Sequence, residues 1–223
     1  MHQQKSKKIV IYLILFLTIG TFNNKNFDDI DFMTIKKINI VGLDEQNNIE
    51  LMNKLNLLNI NSLIFLDKFK TSEIINSNSL VEKYSVFKRY PSTLSVNITK
   101  TKFLAQVKKN GKFFLLGSNG KLISTKKIKK NIPFIFGKLE NEHFLELKKT
   151  IDETNFSYKN IKNLFFFPSG RWDIETKSGV IIKLPKDNLK NSLNLSFKIL
   201  KNDKFKMINK IDLRQNQQII IDG

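Results

Sequence analysis

Leu80-Val81-Glu82-Lys83-Tyr84-Ser85-Val86-Phe87-Lys88-Arg89-Tyr90-Pro91-Ser92-Thr93-Leu94-Ser95-Val96-Asn97-Ile98 is the stretch from which the fold is read. Val81 to Arg89 is rich in β-branched and aromatic residues and reads as a strand. Leu94 to Thr101 reads as a second strand. Its Leu94, Val96 and Ile98 alternate with Ser95, Asn97 and Thr99, which puts one face against a core. Between them, Tyr90-Pro91-Ser92-Thr93 reads as a turn, because proline fixes φ and carries no N–H for a ladder.

Upstream, Ile35 to Val41 is a strand that Gly42 ends. Asp44 is placed to cap a helix running through about Leu58, with Leu51, Leu55 and Leu58 spaced i, i+4, i+7 on one face. A second helix is expected near Thr71 to Ser77, with Thr71 or Ser72 as its cap. The order over residues 34–101 is therefore β-α-α-β-β, a small unit with enough apolar residues to fold.

Downstream, residues 102–223 read as a larger β-rich domain. Asn110-Gly111 lies between two apolar runs and marks a hairpin, and Asn119-Gly120 marks the next turn. Pro133 to Phe136 is a short strand, and Asn141 to Asn155 is a helix with Phe144, Leu147 and Ile151 inward. Strands follow over Ile161–Phe167, Arg171–Thr176 and Val180–Leu184, the last two joined at Lys177-Ser178-Gly179. A helix from Asp187 to Lys201, with Asp187 as cap and Leu189, Leu193 and Leu200 inward, precedes two final strands, Lys210–Arg214 and Gln217–Asp222. The class is α+β: a mixed sheet with helices on one face, behind a smaller α+β unit.

At the N-terminus, Lys5, Lys7 and Lys8 precede an uncharged apolar run from Ile9 to Phe22. A helix over it is about 21 Å long at ~1.5 Å per residue, short against a hydrocarbon core of about 30 Å. No Ala-x-Ala site follows it, and Lys8 and Lys25 can snorkel to the two interfaces. The run is read as a transmembrane signal-anchor in preference to a cleaved signal peptide. Residues 1–8 are then a cytoplasmic tail, 9–22 the membrane segment and 23–33 a linker, with the remainder outside the membrane.

The chain has 223 residues and a formal net charge of +18, with 38 Lys and Arg against 20 Asp and Glu. Such a charge invites a nucleic-acid reading. Only Arg89, Arg171 and Arg214 are arginine, however, and the abundance of Lys, Asn, Ile and Phe beside a single Ala, Ala105, is a compositional bias. Base and phosphate contacts favour the bidentate guanidinium, so nucleic acid is set aside. The absence of Cys excludes a disulfide framework and thiolate chemistry. Of the two histidines, His2 precedes the apolar run and His143 falls on a polar helix face. No phosphate loop, metal-ligand cluster or catalytic constellation is visible. No catalytic residue, metal or cofactor is assigned, and no enzymatic activity is expected.

Binding remains, and the last strand is its best candidate. Ile219, Ile220 and Ile221 place large apolar side chains on both of its faces. If it ends the sheet, its unpaired N–H and C=O groups invite a partner strand.

The segment Leu80 to Ile98, with its aromatic-Pro-x-Thr-Leu turn, resembles the end of a POTRA domain of the FtsQ/DivIB family of bacterial division proteins. Ile211-Asp212-Leu213-Arg214 before a terminal strand is similar to that family's Asp-Leu-Arg motif. Arg171-Trp172, Gly179 and a helix ahead of the motif stand in the corresponding order. The resemblance implies a POTRA domain over 34–101 and an FtsQ-type β domain over 102–223. It implies a single-pass protein of the cytoplasmic (inner) membrane at the division septum. It further implies that FtsB and FtsL homologues bind the C-terminal strand, with Arg171, Trp172, Arg214, Gln215, Gln217, Ile219, Ile220 and Ile221 as contact residues and the arginines facing a partner carboxylate. Gln215 stands where relatives often carry an aromatic. By the same resemblance the POTRA domain meets other division proteins, such as FtsK. A POTRA-bearing secretion or envelope-assembly component is the alternative; it is expected to carry a barrel or repeated POTRA units, and neither is visible in the sequence.

Overall fold

The computed structural model describes residues 3–21, 34–57, 62–138, 140–205, 207–215 and 218–223. Leu58, the 23–33 linker and Gln217 lie outside them. Helix α1 spans Gln3–Thr21, and the side chains from Ile9 to Leu17 along it are exposed. Among the described residues no helix is long and apolar enough to cross a membrane.

The first module contains β1 (Lys37–Val41), α2 (Glu45–Asn56), α3 (Lys68–Ser77), β2 (Val81–Arg89) and β3 (Thr93–Lys100). Its sheet runs β1-β3-β2. β1 and β3 are parallel and β2 and β3 antiparallel, so the chain must cross over between β1 and the hairpin, and the two helices make that crossing. Leu94, Val96 and Ile98 turn inward onto Leu51, Leu55 and Ile75, as their spacing predicts. Asp44 caps α2, accepting from Asn47 N–H at 3.2 Å. The cap of α3 differs from expectation: the helix starts earlier, and Asp67 accepts from the N–H groups of Phe69 and Lys70 at 2.9 and 3.1 Å. Thr71 lies inside the helix, buried, with its hydroxyl donating back to Asp67 O at 2.7 Å.

The second module contains β4 (Phe103–Lys109), β5 (Lys112–Gly117), β6 (Leu122–Thr125), β7 (Phe134–Phe136), α4 (Asn141–Asp152), β8 (Ile161–Phe166), β9 (Trp172–Thr176), β10 (Ile181–Lys183), α5 (Leu189–Lys201), β11 (Lys210–Asp212) and β12 (Ile220–Asp222). Among the described residues its strands form one nine-stranded sheet, ordered β12-β11-β10-β9-β8-β7-β4-β5-β6. Asn110 and Gly111, at φ 49° and 77°, make the β4–β5 turn, the geometry that Asn-Gly favours. Phe144, Leu147 and Ile151 of α4 and Leu193 and Ile199 of α5 cover one sheet face, against Val107, Ile135, Leu164, Ile174, Ile182 and Ile211. Leu189 and Leu200 pack at its margin. Asp187 does not cap α5. The preceding residue of the helix is Asn188, left-handed at φ 64°, with no side-chain cap bond; Asn tolerates that conformation and Asp187 precedes it.

The modules are joined through polar contacts at the turn before β6. Glu82 accepts from the hydroxyls of Thr101 and Ser118 at 2.9 and 2.7 Å, and Lys121 Nζ donates to Asn76 O at 2.5 Å.

Candidate partner-binding edge

Strand β12 lies at one end of the large sheet, paired to β11 alone among the described strands. Alternation along it decides what each isoleucine does. Ile221 is opposite Ile211 and packs at the margin of the core. Ile220, opposite Asp212, is 48% exposed on the other face, and Ile219 is 45% exposed. Of the three expected contact isoleucines, Ile220 alone lies on the open face at the arginine groove; Ile221 packs inward, and Ile219 is exposed on the α5 side beside Asn188, Asn191 and Leu195.

The open face carries a row of charges that strand pairing brings together. Lys183 of β10 stands beside Asp173 of β9 and beside Asp212 of β11, and Asp212 stands beside Ile220. Two residues along their strands on the same face, Arg171 neighbours Asp173 and Arg214 neighbours Asp212. Arg214 Nε lies 2.8 and 3.0 Å from the two carboxylate oxygens of Asp212, and its Nη2 lies 2.5 Å from Oδ2. Arg171 Nε is 3.5 Å from Asp173 Oδ1, and its guanidinium sits 4.2 Å from the centre of the Phe167 ring. Neither Arg171 Nε nor Asp173 Oδ1 has a hydrogen-bond partner. Both carboxylates are buried under these side chains.

Their electrostatics differ accordingly. Burial pushes the Asp173 carboxyl above the usual range, against the opposing pull of Arg171, Lys183 and Arg214. The hydrogen bonds from Arg214 hold Asp212 below it. Arg171, Asp212, Arg214, Gln215 and Ile220 line an open groove of about 350 Å³. Four of the expected contact residues, Arg171, Arg214, Gln215 and Ile220, therefore meet at one place.

Trp172 does not join them. It is 3% exposed, on the core face with Ile174, its ring 4.8 Å from that of Phe166. Alternation places it there, since residues 172 and 174 share a strand face. The resemblance alone made it a contact. Phe165 and Phe167 fall on the open face and Phe166 on the core side. His143 is exposed on α4, its ring stacked on Phe166 at 5.3 Å. Among the described residues no group of His, Cys, Asp or Glu side chains is arranged to hold a metal ion. Asp173, Lys183 and Asp212 were missed as site residues. Their strand parity with Arg171 and Arg214 was available in the sequence; their lateral order was not.

A β-α-α-β-β module joined to a larger mixed sheet with helices on one face defines a POTRA-type protein with a second, β-rich domain. Comparison with known proteins gives the same answer. Residues 33–100 match the family model for the POTRA domain, FtsQ-type, and residues 105–214 match that for cell division protein FtsQ/DivIB, C-terminal. The chain belongs to the FtsQ/DivIB family of cell division proteins. It is 24% identical over 167 residues to cell division protein FtsQ of Bradyrhizobium diazoefficiens, covering 72% of this chain and 48% of that one. The chain thus spans about half the length of that relative. It is 24% identical over 233 residues to cell division protein DivIB of Clostridium botulinum, covering 93% and 87% respectively. A solved structure of the major extracytoplasmic domain of the trans isomer of DivIB from Geobacillus stearothermophilus is 17% identical, with a TM-score of 0.35, over 43% of this chain and 87% of that one. Family membership supports a role in cell division.

Proposed function

We propose that the protein is a non-enzymatic, single-pass scaffold of the division machinery that binds an FtsB homologue, and through it FtsL, by strand addition at β12. The Ile9–Phe22 run anchors it in the cytoplasmic membrane at the septum, with the N-terminal lysines in the cytoplasm. The POTRA module, outside the membrane, meets other division proteins such as FtsK. The observation that carries this reading is β12 itself. It is a three-residue strand, Ile220–Asp222, that lies at the end of the sheet among the described strands, with Ile220 exposed at the groove of Arg171 and Arg214. An open edge of this kind is a template for main-chain pairing.

Capture of the FtsB homologue by the full chain in detergent tests it. Arg214→Glu and Ile220→Lys are each expected to weaken capture by about tenfold or more, since the first reverses the charge facing the partner and the second places charge where a strand must desolvate. Undiminished capture by both variants removes the edge-binding reading.

A further inference from the structure

Charge is not spread evenly along the chain. The 57 residues from Lys83 to Leu139 hold 14 Lys and Arg and no Asp or Glu, in a protein with 20 acidic residues. A uniform compositional bias does not clear carboxylates from so long a stretch. Strand pairing gathers part of it at one end of the large sheet. Lys109 lies directly opposite Lys112 across the β4–β5 hairpin, and Thr125 lies opposite Phe113. Lys126 therefore leaves β6 beside Lys112, and three lysines stand on adjacent strand ends at the ~5 Å spacing between strands. Lys127 follows in a turn closed by its N–H, which donates to the Thr125 hydroxyl at 3.2 Å. All four lysines are exposed. Among the described residues none of them is paired with a carboxylate. Like charges directly opposite each other on a sheet are destabilising, so the fold carries an unrelieved repulsion here. A local rule broken without compensation is a mark of function.

Position and chemistry narrow what answers this charge. The contacts to the first module, at Thr101, Ser118 and Lys121, are at the other end of the same strands. The seven residues of β4 put them ~20 Å from the lysine row. The row is also on the opposite side of the sheet from β12. Its cations are all Lys, compact point charges that suit phosphate, whereas the arginine fork matches a carboxylate. Lys108 Nζ sits 5.5 Å from the centre of the Phe113 ring, and Lys129 Nζ 4.3 Å from that of Phe103. These rings carry an ammonium in the place where a base would stack.

The geometry points to a binding site for a linear phosphate polymer at this strand-end row, with Lys109, Lys112, Lys126 and Lys127 as the residues that hold it. The chain is held by the spacing of its charges and not by base contacts. Each neutralised phosphate releases a condensed counterion, which makes the binding salt-dependent. The site is independent of strand addition at β12. Ile128, 56% exposed between Lys127 and Lys129, is the side chain that a bilayer would use in place of a polymer, and it separates the two ligands experimentally.

The test is binding of long-chain inorganic polyphosphate to the full chain in neutral detergent, titrated at several salt concentrations. Lys109→Gln, Lys112→Gln, Lys126→Gln and Lys127→Gln combined are expected to weaken binding about tenfold or more. They are also expected to flatten the log–log salt slope by about 3, at roughly 0.7 per phosphate contact. The thermal midpoint of this variant stays at or above the parent's, because a repulsion has been removed. Lys149→Gln, Lys159→Gln, Lys177→Gln and Lys186→Gln combined remove the same charge from exposed positions elsewhere and are expected to weaken binding less than about twofold. Equal losses in the two variants would assign binding to net charge and overturn the inference. Binding of poly-glutamate as tight as that of polyphosphate overturns it in favour of an acidic protein. Because the chain has no Cys, Asn131→Cys carries a single environment-sensitive fluorophore on this exposed loop. The same emission from phosphatidylcholine and phosphatidylglycerol nanodiscs is the expected result. A blue shift in phosphatidylglycerol that Ile128→Ser abolishes would place the row on a bilayer and overturn the polymer site.

Discussion

Asn119 Nδ2 donates to the backbone carbonyl of Val81 at 2.8 Å, bridging the second module to the first strand of the hairpin in the first. The same amide donates to Ser79 O at 2.9 Å, while its carbonyl oxygen accepts from Lys121 N–H at 3.1 Å. One side chain thus uses both donors across the joint and its acceptor within its own turn. Asn119→Asp replaces the donating group with an acceptor facing two carbonyls. It is expected to destabilise the joint by about 1–3 kcal/mol, the cost of leaving such groups unpaired. Limited trypsin digestion reads this as faster cleavage after Lys100 and Lys102, and Asn119→Ala is expected to fall between the two. Cleavage at the parent rate in Asn119→Asp would mean that the bond does not hold the joint.

Gln106 makes a comparable clamp inside the second module. The chain from β6 to β7 must pass over β5 and β4, because β7 pairs with β4. Gln106 is buried, and its Nε2 donates to the carbonyls of Lys129 and Ile132 at 2.8 Å each, while Oε1 accepts from Lys129 N–H at 3.0 Å. A crossover rich in Lys126, Lys127, Lys129 and Lys130 is thereby tied to the sheet. Gln106→Leu preserves volume but strands three backbone groups. The expected loss is about 2–4 kcal/mol, measured by chemical unfolding. Trypsin is also expected to cut among those lysines where the parent resists. If stability and protease resistance are both unchanged, the amide is not what holds the crossover.

Much of this fold was readable because alternation and turn chemistry are local. Leu94, Val96 and Ile98 announced a strand with one face in a core, and Asn110-Gly111 announced the β4–β5 hairpin, without knowledge of any neighbour. Caps were less secure: Thr71, Ser72 and Asp67 are all capping residue types, and the helix took the earliest, whose carboxylate reaches two N–H groups. The site was legible one strand at a time. Arg171 and Arg214 were identified, and parity along β9 would have kept Trp172 in the core. What placed Lys183 between two aspartates is lateral order: β10 lies between β9 and β11 because α5 carries the chain across to a parallel partner. That arrangement is set by packing of α5 on the sheet and leaves no periodic trace in the sequence.

Asp44 offers a titration of one local element. Its carboxylate accepts from Asn47 N–H at 3.2 Å and Asn47 Nδ2 at 2.6 Å, with Lys100 Nζ at 3.2 Å. Chiefly the Asn47 bonds lower it from the ordinary 3.8 to about 2. A folded-state value below the unfolded one means that the stabilisation is fully present above pH 3.8 and is lost as pH falls through about 2. The side chain is half exposed and the Lys100 pair is screened by solvent, so the cap contributes about 1 kcal/mol. Asp44→Ala is expected to lose that amount at neutral pH, read as faster amide exchange in the first turn of α2. Its difference from the parent should shrink between pH 4 and 2. Asp44→Asn retains an acceptor without a titrating charge and should show protection independent of pH over this range. Because Glu175 and Asp212 are also held low while Asp173 is held high, total stability mixes opposing contributions. The difference between Asp44 variants at the α2 N-terminus isolates one of them. A deficit in Asp44→Ala that persists undiminished at pH 2 would assign the effect to helix propensity or packing, and not to the ionised cap.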